Sequence, residues 1–137
     1  MTIVADSDSL IGMLYPNDAH HHRALTALNW LIRNEAKIVH PATVIPEATT
    51  TLAGRLAQPE IARQITQLLV SDKLFIEPVD DGVLKEAATL LKSGSSKHHT
   101  LFDAIVAAIA RRLNADAVFS FDGWYPELGL KLVSDLL

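Results

Sequence analysis

Short apolar runs rich in Val, Ile and Phe alternate in this chain with longer stretches whose apolar residues recur at helical spacing, and this alternation constrains the fold more than any other feature. Thr2 to Ala5, Ala36 to Val39, Leu74-Phe75-Ile76 and Ala117-Val118-Phe119-Ser120-Phe121 each read as a strand, with Leu130 to Val133 a candidate fifth. Helical stripes fall between them. Leu10, Ile11 and Leu14 precede a turn at Pro16-Asn17-Asp18. Ala24, Leu25, Leu28, Leu31 and Ile32 share one face of a helix from Ala19 to Arg33. A helix from Pro41 to Leu56 has Pro46 in or near its first turn, and another begins near Pro59 and carries Ile61, Ile65, Leu68 and Leu69. Asp80-Asp81-Gly82 turns into a helix from Val83 to about Lys92, and Ser93-Gly94-Ser95-Ser96-Lys97 reads as a flexible loop. Phe102, Ile105, Val106, Ile109 and Leu113 make the strongest stripe, on a helix thinned by alanines and expected at the centre of the fold. Parallel strands need crossovers, and helices supply them. The pattern therefore predicts a three-layer α/β/α fold with a mostly parallel sheet, in a single domain over residues 1–137.

The composition fits such a domain and narrows its chemistry. At 137 residues, 49% of them hydrophobic and 20% charged, the chain is long enough to bury a core without a disulfide or a structural metal. It has no cysteine, which removes thiolate nucleophiles and zinc-thiolate sites. The opening Met1-Thr2-Ile3-Val4-Ala5-Asp6 lacks the basic and apolar regions of a signal peptide, and no run is long enough for a membrane helix, so a cytoplasmic location is expected. A formal net charge of −4 argues against a protein that holds nucleic acid through a broadly basic surface. Bound cations, or a local patch such as Arg111 and Arg112, would have to meet a polyanion instead.

Acids punctuate the apolar segments. Asp6 and Asp122 each follow a strand candidate, at the carboxyl end where ligand sites of parallel sheets form, and Glu47 and Asp103 lie early in helices that approach the same edge. Each has an ordinary alternative. Asp6 is placed to cap the helix starting at Ser7, Asp103 to complete a Thr-x-x-Asp capping box with Thr100, Asp122-Gly123 to form a turn, and Glu47 to face solvent. Together they read differently, because carboxylates gathered at buried elements repel one another and raise each other's pKa values unless a cation is present. Oxygen-only ligation favours Mg²⁺ or Mn²⁺.

Four segments then carry a resemblance. Ala5-Asp6-Ser7-Asp8-Ser9-Leu10-Ile11, Val44-Ile45-Pro46-Glu47-Ala48, Leu101-Phe102-Asp103-Ala104-Ile105-Val106 and Val118-Phe119-Ser120-Phe121-Asp122 resemble, in order, the four motifs of PIN-domain ribonucleases. The length and the His20-His21-His22-Arg23-Ala24 segment look most like VapC-type toxins of toxin–antitoxin pairs. The resemblance implies Mg²⁺- or Mn²⁺-dependent hydrolysis of RNA, with Asp6, Glu47, Asp103 and Asp122 as catalytic metal ligands and Ser7, Asp8 and Ser120 in support. It also implies a homodimer and a small cognate antitoxin. Asp8 departs from the pattern, standing where the family often has Asn or Ser.

Two rival functions remain at this stage. Asp6-Ser7-Asp8-Ser9 also resembles the opening of haloacid-dehalogenase-type phosphatases, with Asp6 as nucleophile and Asp8 as acid/base, although no later Lys and paired acidic motif can be placed. A non-catalytic PIN-fold binding module is the other. Among the remaining residues, consecutive His20, His21 and His22 diverge on a helix and cannot share one ion, and His98 and His99 read as an exposed loop pair. Trp124 and Tyr125 read as core anchors rather than RNA-stacking groups, and Arg111 and Arg112 as a helix C-terminal charge pair.

Overall fold

The computed structural model describes residues 1–93 and 98–137; the loop expected at 93–97 falls almost entirely outside the described residues. Four strands form one all-parallel sheet: β1 (Thr2–Ala5), β2 (Lys37–Pro41), β3 (Phe75–Glu77) and β4 (Ala117–Phe119), in the spatial order β3-β2-β1-β4. In register, Val4 lies opposite Val39 on one side and Val118 on the other. The order reverses at β1, which places the carboxyl ends of β1 and β4, and so Asp6 and Asp122, at the crevice where such sheets bind ligands.

The helices are α1 (Ser7–Leu14), α2 (His21–Arg33), α3 (Val44–Ala53), α4 (Pro59–Val70), α5 (Asp81–Ser93), α6 (Leu101–Arg112) and a single turn α7 (Trp124–Glu127). The alternation of β1 divides the core between two layers. Ile3 and Ala5 pack with Ala24, Ala27 and Leu31 of α2, while Val4 faces the larger cluster built from α1, α3, α4, α5 and α6. The two cores establish the α/β/α layering.

Helix α6 runs through the larger core, with Ala104 to Ala110 all buried. Its alanines let neighbours approach on every side, which a helix buried all round requires. Its first turn is different. Leu101 and Phe102 are 41% and 42% exposed, so Phe102 does not belong to the buried stripe that its spacing predicts.

Helix ends explain how short the connections are. After α2, α4 and α6, the residues Glu35, Asp72 and Asn114 adopt left-handed backbone, and the next N–H bonds back to the carbonyl of Leu31, Leu68 or Ala110. This closing turn usually carries glycine; here it turns the chain straight into the next strand without one. Two expectations are corrected. Leu130 to Val133 forms only an isolated bridge, Val118 to Leu132, before a 3-10 turn at Val133–Asp135, because the chain passes β4 too briefly to make a ladder. The turn expected at Asp80-Asp81-Gly82 is already helix from Asp81, with the Val83 N–H bonded to the Asp80 carboxylate.

Candidate active site

The site is assembled around the end of β1. Asp6 caps α1: one carboxylate oxygen accepts the Ser7 N–H at 2.7 Å and the other the Tyr125 hydroxyl at 2.5 Å. The capping expectation was therefore correct for Asp6, yet it does not account for the surroundings. Asp6 is only 4% exposed, and burial, with a further push from Asp8 and Asp103, drives its pKa well above the ordinary carboxylate value. Tyr125 lies wholly within the core on α7, its hydroxyl pKa raised by burial and by the neighbouring acids.

Asp8, two residues on, points toward the end of β4. One of its oxygens accepts the Ser120 hydroxyl and the Phe121 N–H, both at 2.8 Å; the other, Oδ1, is buried and has no hydrogen-bond partner among the described residues. Burial raises its pKa against the pull of those donors. Glu47 approaches from the first turn of α3, hydrogen-bonded to Ser7, and its pKa too is raised by burial and by Asp103 and Asp8. Its Oε1 is likewise buried without a partner among the described residues. Asp103 arrives from the first turn of α6, where one oxygen accepts the Thr100 N–H at 2.9 Å, the capping-box contact read in the sequence.

Asp8 and Asp103 thus lie within electrostatic reach of both Asp6 and Glu47. Asp122 is set apart. Its carboxylate accepts the Trp124 N–H and pairs with His99 Nε2, each at 2.9 Å, and it reaches the others through Asp8. Ser120 joins the two, donating to Asp8 while its oxygen accepts the Asp122 N–H.

The donor set suits a hard cation, being all carboxylate and hydroxyl oxygen. Among the described residues no group of three His, Cys, Asp or Glu side chains stands in ligand geometry, because several of the oxygens are turned onto local N–H and O–H donors. The fit rests on the two buried oxygens left over, Asp8 Oδ1 and Glu47 Oε1. An orphaned buried carboxylate oxygen is costly, and a cation between these elements would satisfy both.

Several residues were missed or misread from sequence. His99 is not an exposed loop residue: its ring stacks on Trp124 at 4.5 Å and is largely buried against Asp122, 23 positions away, with no local signal to announce it. The Tyr125–Asp6 bond, 119 positions apart, was equally invisible. Arg111 and Arg112 close α6 at the end opposite Asp103, bonded to the Leu128 carbonyl and to Asp80, so they offer no charge to this site. Trp124 and Tyr125 are buried anchors, as expected.

Fold and site together define a three-layer parallel α/β domain with an acidic cluster at the switch point of its sheet. The chain belongs to the PIN domain family, which matches residues 3–129. No curated protein matches it in sequence. Its fold is similar to that of VapC20 from Mycobacterium tuberculosis, a sarcin-ricin loop cleaving toxin (TM-score 0.79, 19% identity, 93% of this chain and 95% of that one). It is also similar to a chain of VapBC2 from Rickettsia felis, solved with a promoter DNA fragment (TM-score 0.70, 15% identity, 96% and 97%), and to one of FitAcB from Neisseria gonorrhoeae (TM-score 0.67, 19% identity, 95% of each). The fold is that of VapC-type PIN domains.

Proposed function

We propose that this protein is a divalent-metal-dependent endoribonuclease and the toxin of a toxin–antitoxin pair. The observation that carries the proposal is the gathering of Asp6, Asp8, Glu47 and Asp103 at the end of β1, with a buried oxygen of Asp8 and one of Glu47 unpartnered among the described residues. A purely structural role gives no reason to collect mutually repelling acids. Membership of the PIN family and likeness to VapC20 support RNA as the substrate. The VapBC2 and FitAcB likenesses support a small cognate antitoxin.

In this reading Asp6, Glu47 and Asp103 would hold Mg²⁺ or Mn²⁺, with Asp8 in support and Asp122 acting directly or through water. Bound there, the metal would lower the pKa of a water for attack on the scissile phosphate and neutralise charge on the leaving oxygen. The chain supplies the rest. Tyr125 fixes the Asp6 carboxylate, Ser7 orients Glu47, and Ser120 with the Phe121 N–H hold one oxygen of Asp8 and leave the other unengaged among the described residues. Raised carboxyl pKa values mean that proton and metal compete for these oxygens, so metal affinity should rise with pH.

The phosphatase alternative loses its footing here. The chain is a PIN domain, and both oxygens of the supposed nucleophile Asp6 are engaged in a buried setting. The test is direct: purified protein with Mg²⁺ or Mn²⁺ should cleave single-stranded RNA, and EDTA should abolish cleavage. Metal-independent cleavage, or none in either metal, would overturn the proposal and, in the second case, favour a binding module.

A homodimer accords with the exposed apolar side chains, among them Val70 at 83% and Ile32 at 62%. Sedimentation at tens of micromolar should give twice the 15.0 kDa chain mass, and a monomer would count against it.

A further inference from the structure

The acidic cluster poses a problem for its own substrate. A polyanion must approach several carboxylates on a chain of net charge −4, and Arg111 and Arg112 sit at the far end of α6. Positive charge is found instead on the His-rich start of α2. Arg23 is exposed, and no carboxylate pairs with it among the described residues, whereas Arg63 and Arg112 are held by Glu60 and Asp80. Its guanidinium carbon lies 4.8 Å from the centre of the Phe121 ring, and it donates to His20 Nδ1. His20 stacks on the same ring, centroids 4.4 Å apart and planes 15° from parallel.

Phe121 is in turn tied to the acidic cluster through its backbone, whose N–H donates to Asp8, as does the preceding Ser120 hydroxyl. Beside it opens a cavity of about 220 Å³, walled by Ala27, Phe119, Phe121 and Val133 and rimmed by Arg23 and Ser134. That is smaller than the roughly 300–1,000 Å³ of pockets for drug-sized ligands, so it suits a single planar ring. A cation with no acidic partner among the described residues, an aromatic face and a small apolar cavity, all adjoining the acidic cluster, are the parts from which single-strand binding is built.

We propose that Arg23, with His20 stacked on Phe121, forms a substrate subsite flanking the point of cleavage, in which Arg23 meets a neighbouring phosphate and the Phe121-walled cavity takes one unstacked nucleobase. The inference rests on the ribonuclease reading of the acidic cluster. It assigns a task to the histidine-rich segment that the acids leave unexplained, and it supplies the local positive charge that composition does not show.

The experiment measures binding of a fluorescein-labelled single-stranded RNA octamer by anisotropy, in an Asp103→Asn background to prevent cleavage, over a range of salt. Arg23→Ala should weaken binding about tenfold and reduce the salt slope by about 0.7, the value of one phosphate contact on a single strand. Arg23→Lys should recover the slope. Phe121→Leu, which keeps apolar volume but removes the ring, should weaken binding roughly tenfold with the salt slope unchanged. An abasic site at one position should cost a similar factor in the parent and nothing further in Phe121→Leu. Melting curves establish that each variant is folded. If the wild-type chain cleaves RNA and binding is unmoved by both Arg23→Ala and Phe121→Leu, the subsite is overturned and the ribonuclease reading stands. If Arg23→Ala alters only the oligomeric state, the patch is a protein contact and the subsite is again overturned. Failure of the wild-type chain to cleave any RNA removes both.

Discussion

Asp103→Asn is expected to lower RNA cleavage by about a hundred- to a thousandfold while leaving the metal-free fold intact. The substitution keeps the shape of the side chain, and the amide oxygen can still accept the Thr100 N–H. What it removes is a negative charge facing Asp6, Glu47 and Tyr125. Asp6 and Glu47 are raised above their ordinary pKa partly by that charge, so each is costlier to ionise in the folded chain than in the unfolded one. Such groups favour folding below their unfolded pKa values, near 3.8 and 4.5, and that contribution is lost as the pH rises through the folded values. The metal-free variant should therefore match or exceed the wild type at pH 7, by about 1 kcal/mol, with the gain absent near pH 4. If Asp103 were only a helix cap, Asp103→Ala would cost about 0.5–2 kcal/mol and activity would persist. Melting curves at the two pH values, with cleavage rates on the same samples, decide the matter, and full activity in Asp103→Asn would end the proposal.

The same residue shows how much of the site was legible in the sequence. Asp6 and Asp103 are helix caps, as local rules anticipate, and they are also members of the acidic cluster at the end of β1, as the apolar setting of their segments anticipates. Cap and cluster member are not alternatives in this fold, because a helix N-terminus is where a carboxylate is best tolerated at a sheet edge. Order along the chain was readable wherever hydrophobic period was strong, as in β1 and α6. Boundaries were harder to place. Just beyond α2, α4 and α6, Glu35, Asp72 and Asn114 take the left-handed conformation, so the expected glycine signal is missing. Long-range polar pairs left no trace in the spacing. The hold of Tyr125 on Asp6, of His99 on Asp122 and of Asp8 on the end of β4 exist only once the sheet brings those ends together.

Outside the acidic cluster, the largest pH effect on stability is expected from His40, a residue the sequence did not single out. It lies in β2, only 4% exposed, against a cavity lined by Leu10, Leu28, Ile38 and Leu68, and neither ring nitrogen has a hydrogen-bond partner among the described residues. Burial disfavours the imidazolium and lowers the pKa from 6.5 to about 4. Because the folded value is the lower one, the unfolded chain takes up this proton first on acidification. The stabilisation is complete above pH 6.5, declines as the pH falls, and is gone once the folded value is passed, a total of about 3 kcal/mol. Asp6, Asp8 and Glu47 act in the opposite sense over the lower part of that range, so the wild-type curve alone mixes the two effects. His40→Leu separates them. It removes the titrating group, replaces an unsatisfied ring with an apolar side chain in an apolar setting, and leaves the acids in place. Denaturant unfolding of both proteins between pH 7 and pH 4 should show the variant gaining on the wild type by about 3 kcal/mol as the pH falls. Parallel curves would mean that the His40 ring titrates alike in both states, through a partner or a water that satisfies its nitrogens.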